Sequence, residues 1–259
     1  MAGEIDRNRA VLRISGTDRE SFLQGLVTND VRRLTNGAVY AALLTPQGKY
    51  LADFLLVPAP ESILLDVRAD LAEGLLRRLS MYRLRADVSI EKTDWIVCRG
   101  LGPAPAGSVQ DPRHAALGWR SYGPAPETCD PSAIDWTALR VEHVIPETGV
   151  ELRPDESYIL ESGFERLHGV DFRKGCYVGQ EVTARMKHKT DLKKGLFRVH
   201  VTGEAEPGTE ITTAEGKPAG VLHTRAGDRA IAFLRLDRAD GEMSAGSARV
   251  TLDARMPQS

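Results

Sequence analysis

From Lys194 onward the chain consists of short β-prone runs, residues 196–201, 210–213, 220–223, 230–234 and 248–252, separated by turns rich in Gly, Pro and Asp. Runs this short cannot bury an apolar face as isolated hairpins and must close on one another. A small all-β barrel or sandwich over residues 194–259 is therefore expected.

The region before it reads differently. Thr17 followed by Glu20 has the form of a capping box, and Phe22, Leu23, Leu26 and Val27 recur at helical spacing, which predicts a short helix over 18–27. Apolar runs at 40–44 and 50–57 flank the turn signal Pro46-Gln47-Gly48 and predict a β-hairpin, with a third strand at 62–67. Leu71, Leu75, Leu76 and Leu79 share one face of a helix over 69–79, and strands are expected at 88–91 and 95–98. Interleaved strands and helices point to an α+β class. Gly- and Pro-rich stretches at 100–107 and around 124–131 are expected loops.

Charge excludes several function classes. Lys and Arg total 34 against 36 Asp and Glu, a net charge of -2, so no global field recruits nucleic acid or an anionic membrane, and direct nucleic-acid binding is not expected. The first residues lack an apolar core of signal-peptide length, and nowhere do roughly 18 apolar residues run uninterrupted. A cytoplasmic location without membrane partners follows as the expectation. The three cysteines, Cys98, Cys129 and Cys176, are far apart and form no CxxC pair, which argues against a disulfide scaffold or zinc knuckle and leaves at least one thiol free. The histidines show no metal-ligand spacing with cysteine, so no stable metal is expected.

Chemistry concentrates in HGVDFRKGCYVGQEVTAR, residues 168–185. Cys176 follows Gly175 and precedes Gly179, glycines that permit tight turns, and Arg173 and Lys174 supply cations that favour a thiolate. Lys174 is the candidate thiolate-stabilising group. Tyr177 either stacks beside a flat ligand or fills a core gap, while Gln180 and Glu181 are suited to orienting the Cys176 loop. Arg185, Lys187, Lys189, Lys193, Lys194 and Arg198 face one acid, Asp191, and read either as a solvated linker or as a receptor for an acidic group such as a glutamate tail.

The segment KGCYVGQE, residues 174–181, resembles the signature of the YgfZ family, whose mitochondrial relatives act in late iron–sulfur cluster assembly. FLQGLVTNDV, YAALLTPQGKYLADFLL and IPETGVELRP are also similar to that family. The wider fold group is that of the glycine cleavage aminomethyltransferase, or T-protein. The resemblance implies a folate-binding fold of three coupled domains in a ring: residues 1–193 as a folate-binding α+β region, with a second subdomain spanning roughly 50–135, and 194–259 as a C-terminal barrel.

The same resemblance implies tetrahydrofolate or a derivative as cofactor. Glu161 of LESG takes the place of the carboxylate that holds the pterin ring, unless it salt-bridges a helix end. T-proteins carry paired acids where this chain has Ala52 then Asp53, which counts against aminomethyl transfer, the alternative function; Asp53 either lines the pocket floor or is a buried structural acid. Thr28, Asn29 and Asp30 are suited by default to bonding loop backbone, and the resemblance places Asn29 and Asp30 beside the folate pocket as secondary candidates. Arg185 completes the set of cofactor-binding candidates. The implied function is support of 4Fe–4S assembly or repair in client enzymes, tRNA-modifying ones included, with iron–sulfur assembly or client proteins as partners and Cys176 as transient ligand, redox partner or nucleophile.

Overall fold

The computed structural model describes residues 2–124, 134–189 and 192–254, so Cys129 and all but the first residue of the loop expected around 124–131 lie outside the described residues. The chain divides into two compact units, residues 1–134 with 167–180, and 135–166 with 181–259.

In the first unit the elements run β1 (Ala2–Ile5), β2 (Arg9–Ser15), α1 (Arg19–Gln24), β3 (Val39–Leu44), β4 (Tyr50–Ala59), β5 (Ser62–Arg68), α2 (Ala69–Tyr82), β6 (Ser89–Lys92), β7 (Ile96–Leu101), β8 (Val109–Gln110) and β9 (Trp119–Gly123). They form an antiparallel five-stranded sheet, ordered β3-β4-β5-β2-β6, and an antiparallel four-stranded one, β1-β7-β9-β8. Strand periodicity sends Leu12, Ile14, Phe54, Leu56, Leu65 and Val67 into the core built with Ala72, Leu75 and Leu79 of α2.

The opposite face of that sheet carries Tyr40, Asp53 and Asp66. Asp66 is fully buried and takes Arg9 Nε at 2.6 Å, Arg120 Nη1 at 3.2 Å and the Tyr122 hydroxyl at 2.9 Å. Arg120 and Arg113 both close on Asp111, at 3.0 and 2.7 Å. The two guanidinium groups hold the Asp111 carboxyl far below its ordinary range, outweighing the desolvation that pushes it up. This ionic network spans the space between the two sheets of the unit.

The predicted hairpin and the strand after it are present. The first helix is shorter than expected and has no capping box: Asp18 occupies the N-cap without a side-chain bond, and Thr17 donates instead from its backbone N and Oγ1 to Asp87 Oδ2, at 3.1 and 2.8 Å. A contact distant in sequence has claimed the capping side chain. Cys98, buried in β7, is disulfide-bonded, so wide spacing of the cysteines does not exclude a disulfide; Cys176 is free and exposed.

The second unit holds α3 (Trp136–His143), α4 (Gln180–Lys189), β10 (Lys194–Thr202), β11 (Glu210–Thr213), β12 (Pro218–Ala226), β13 (Arg229–Arg235), β14 (Met243–Ala245) and β15 (Ala248–Ala254). Its strands close as a six-membered barrel, β10-β13-β12-β11-β14-β15, with β10 pairing both β13 and β15. Val199, Ile211, Leu222, Leu234 and Val250 fill it. Every predicted run became a strand; β14, three residues long, had no run to announce it. Asp135 caps α3 by accepting from Ala138 N at 2.9 Å, and Arg166 closes its far end by donating to the carbonyls of His143 and Val144. No helix among the described residues is long and apolar enough to cross a membrane.

Candidate functional site

The loop bearing Cys176 is fastened by residues 24–31. Thr28 Oγ1 donates to Gly169 O at 2.7 Å and accepts from Ala42 N at 2.8 Å, joining loop to sheet. Asn29 Nδ2 donates to Tyr40 O and to His168 O, at 2.8 and 2.6 Å, while its Oδ1 accepts from Asp30 N. His168 presents that carbonyl from the left-handed region, φ 56°. Arg33 and Asp171 close the loop's outer edge at 2.6 Å. The polar run 28–30 is thus committed to loop geometry, the structural role its side chains allow.

Lys174 anchors the far side. Its Nζ donates to Gln24 O and Val27 O at 2.5 and 2.7 Å, at the end of α1, and lies 4.9 Å from the Tyr177 ring centroid. Burial lowers its pKa to about 8, and Cys176 is among the groups whose charge acts back on it. Tyr177 is buried under this ammonium and Val178 packs on the main core, leaving Gly175 and Cys176 outside. The chain turns through Gly175 at φ 101° and Gly179 at φ 82°; a Cβ on Gly179 would lie 2.5 Å from Thr45 O. Gln180 then opens α4, where Glu181 pairs with Arg185 at 2.9 Å on the solvent side.

Asp30 caps the 3-10 turn that follows by accepting from Arg32 N at 3.0 Å, and it forms a forked pair with the Arg32 guanidinium. That bonding, led by the Arg32 side chain, lowers its pKa to about 2. A carboxylate depressed on folding stabilises the fold above its unfolded value and ceases to do so as pH falls through its folded value. Asp30→Asn keeps the cap acceptor and removes the charge. Its deficit relative to the unsubstituted protein should therefore shrink as pH is lowered from about 4 to about 2. Urea unfolding at several pH values reads this; a deficit constant across the window would exclude the assignment.

Asp53 is buried and accepts from the hydroxyls of Tyr40, at 3.0 Å, and Tyr50, at 2.7 Å. Ala52 points to the opposite face, into the core beneath α2. Nothing local announces the Tyr40–Tyr50–Asp53 cluster: it depends on the register shift between Leu43 and Leu44, which lets residues three apart meet. An open cavity of about 320 Å³ adjoins it, lined by Asn29, Arg33, Asn36, Tyr40, His168 and neighbours.

Glu161 and Arg185 belong to the second unit. The Glu161 carboxylate lies 3.5 Å from Lys194 Nζ, and its carbonyl accepts from Leu196 N of the barrel. Lys187 pairs with Glu165 at 2.5 Å, and Arg198 with Asp253 at 2.5 Å and Glu142 at 2.7 Å. Much of the basic stretch is therefore neutralised within its own unit. Among the described residues no three His, Cys, Asp or Glu side chains gather into a metal-ligand set.

Residues 193–258 match the family described as the CAF17 C-terminal beta-barrel domain. The mouse mitochondrial iron–sulfur cluster assembly factor IBA57 is 32% identical over 91% of this chain and 78% of its own length. Human mitochondrial IBA57 is 30% identical, over 96% and 82%. In structure, the glycine cleavage aminomethyltransferase T of Bartonella henselae superposes with a TM-score of 0.79 over 98% of this chain and 85% of its own, at 13% identity, which establishes an aminomethyltransferase-like fold. The cytoplasmic placement expected from the sequence is overturned, since these IBA57 relatives are mitochondrial proteins. The extent and identity of the match make the chain a member of the IBA57 family of iron–sulfur cluster assembly factors.

Proposed function

We propose that this chain supports assembly or repair of 4Fe–4S clusters in client enzymes, tRNA-modifying enzymes among them, with Cys176 as its working thiol and tetrahydrofolate or a derivative as its small-molecule partner. The observation that carries the reading is the exposed, free Cys176 on a loop otherwise fixed by Thr28, Asn29 and Lys174. A thiol reacts or ligates as thiolate and only where a partner reaches it. One thiolate is a single cluster ligand, so the reading assigns the remaining ligands to an assembly or client protein. The likeness of KGCYVGQE to the YgfZ signature supports this reading.

Support for the folate is of a different kind. The cavity beside Asn29, Arg33 and Tyr40, about 320 Å³, is within the size range of small-ligand sites. Asn29 and Asp53 already have polar partners and serve here as scaffold. Bound tetrahydrofolate would supply one-carbon chemistry.

Expression of Cys176→Ser in cells lacking the protein tests the thiol: 4Fe–4S enzyme activities should fall to the level of the empty vector while glycine cleavage is unaffected. Full restoration of those activities would overturn the assignment. Calorimetric titration with tetrahydrofolate tests the second partner separately, and silence there removes the folate while leaving the thiol's role standing.

A further inference from the structure

Helix α2 carries a face that its own unit does not explain. Gly74, Arg77, Arg78 and Met81 stand at i, i+3, i+4 and i+7 and so share one side, and all four are exposed. Met81 is 77% exposed and Leu84, just past the helix, 89%; they are the exposed large hydrophobics among the described residues. Along this side runs an open groove of about 250 Å³, with Leu51, Ala52 and Leu71 among its apolar lining and Asp70, Arg77 and Arg78 among its polar lining.

Among the described residues Arg77, Arg78 and Arg85 have no carboxylate partner, and Arg83 donates to the Val88 carbonyl. The acids of the same helix are already engaged, Asp70 by Arg68 at 2.9 Å and Glu73 by Lys92 at 3.8 Å. Gly74 is odd. Glycine is the poorest helix former after proline, yet among the described residues a Cβ at this position would meet nothing within 4 Å, so none of them requires its absence.

We propose that this face docks an acidic protein segment. An apolar side chain of the partner enters the groove over Gly74, carboxylates flank it on Arg77, Arg78 and Arg85, and Met81 and Leu84 are covered at the margin. Guanidinium forks match discrete carboxylates in two-point contact. Exposed Asp70, Glu73 and Asp87 are interspersed among the arginines, and they repel a continuous phosphate array such as a bilayer or a nucleic acid while tolerating carboxylates placed between them. Two apolar side chains are also too few to hold a membrane. The proposal is independent of Cys176 and of the cluster chemistry.

The test uses the full chain and a labelled helical peptide with leucines on one face and glutamates on the other, titrated by fluorescence anisotropy. The Arg77→Glu, Arg78→Glu double variant should weaken binding by at least about tenfold. Gly74→Leu fills the groove while improving helix propensity, so it should abolish binding at an unchanged or raised melting temperature. That combination separates docking from misfolding. The Cys176→Ala protein should bind as the unsubstituted chain does. The proposal is overturned if the peptide does not bind, if Gly74→Leu binds it equally, or if phosphatidylglycerol vesicles or a single-stranded RNA bind more tightly through the same arginines.

Discussion

Replacing Asp66 by alanine should lower the unfolding free energy by about 3–5 kcal/mol, the usual cost of deleting one member of a buried ion pair. The carboxylate is fully buried and is shared by Arg9 at 2.6 Å, Arg120 at 3.2 Å and the Tyr122 hydroxyl at 2.9 Å. Without it Arg9 loses its carboxylate partner and Arg120 loses one of its counter-charges, keeping Asp111, so desolvation, the largest influence on both, is less fully offset. Asp66→Asn keeps the shape and removes only the charge, so the difference between the two variants separates packing from electrostatics. Arg185→Ala is the contrast. Its pair with Glu181 is exposed on both sides, 58% and 85%, and its loss should register at no more than about 0.5 kcal/mol. Urea unfolding of the three variants checks this, and a loss below about 1 kcal/mol for Asp66→Ala would show that the network is not holding the sheets together.

Much of the fold was legible because its signals are local. The barrel strands alternate and are bounded by turn residues, and the hairpin has Pro46-Gln47-Gly48 between two apolar runs. The strands β3, β4 and β5 are covered on both faces, which is why they read as nearly continuous apolar sequence. What escaped was decided at a distance. Thr17 has the spacing of a cap but is spent on Asp87, and Arg113 and Arg120 of the Asp66–Asp111 network lie between the two expected loops, where the sequence announces no element.

The candidate site divides in the same way. Cys176 and its flanking glycines stand out through the motif KGCYVGQE and the cations beside it. Lys174 is less legible: adjacency in sequence suggests support for the thiolate, and the fold in addition ties its ammonium to two carbonyls at the end of α1. That binding fixes the loop and leaves the cysteine exposed. Position in sequence shows which charges are near, whereas only the fold shows which are already engaged.

The two glycines around Cys176 make this distinction measurable. Both adopt positive φ, 101° at Gly175 and 82° at Gly179, so alanine at either is strained by about 1 kcal/mol or more. Their surroundings differ. A Cβ on Gly175 meets nothing within 4 Å, while one on Gly179 lies 2.5 Å from Thr45 O and 2.9 Å from Leu44 Cβ, backbone and core that cannot move aside cheaply. Gly179→Ala should therefore cost a further 1–3 kcal/mol, roughly the penalty of overpacking. Relief of that clash requires the segment to lift from the β3–β4 turn, carrying Cys176 with it. Gly179→Ala is accordingly expected to fail in restoring 4Fe–4S enzymes even where the protein remains folded, whereas Gly175→Ala, at a small stability cost, should restore them substantially. Denaturation midpoints paired with complementation decide the matter. Equal stability losses for the two would mean that backbone strain alone sets the requirement for glycine, and equal complementation would mean that the fixed position of Cys176 is not what the function uses.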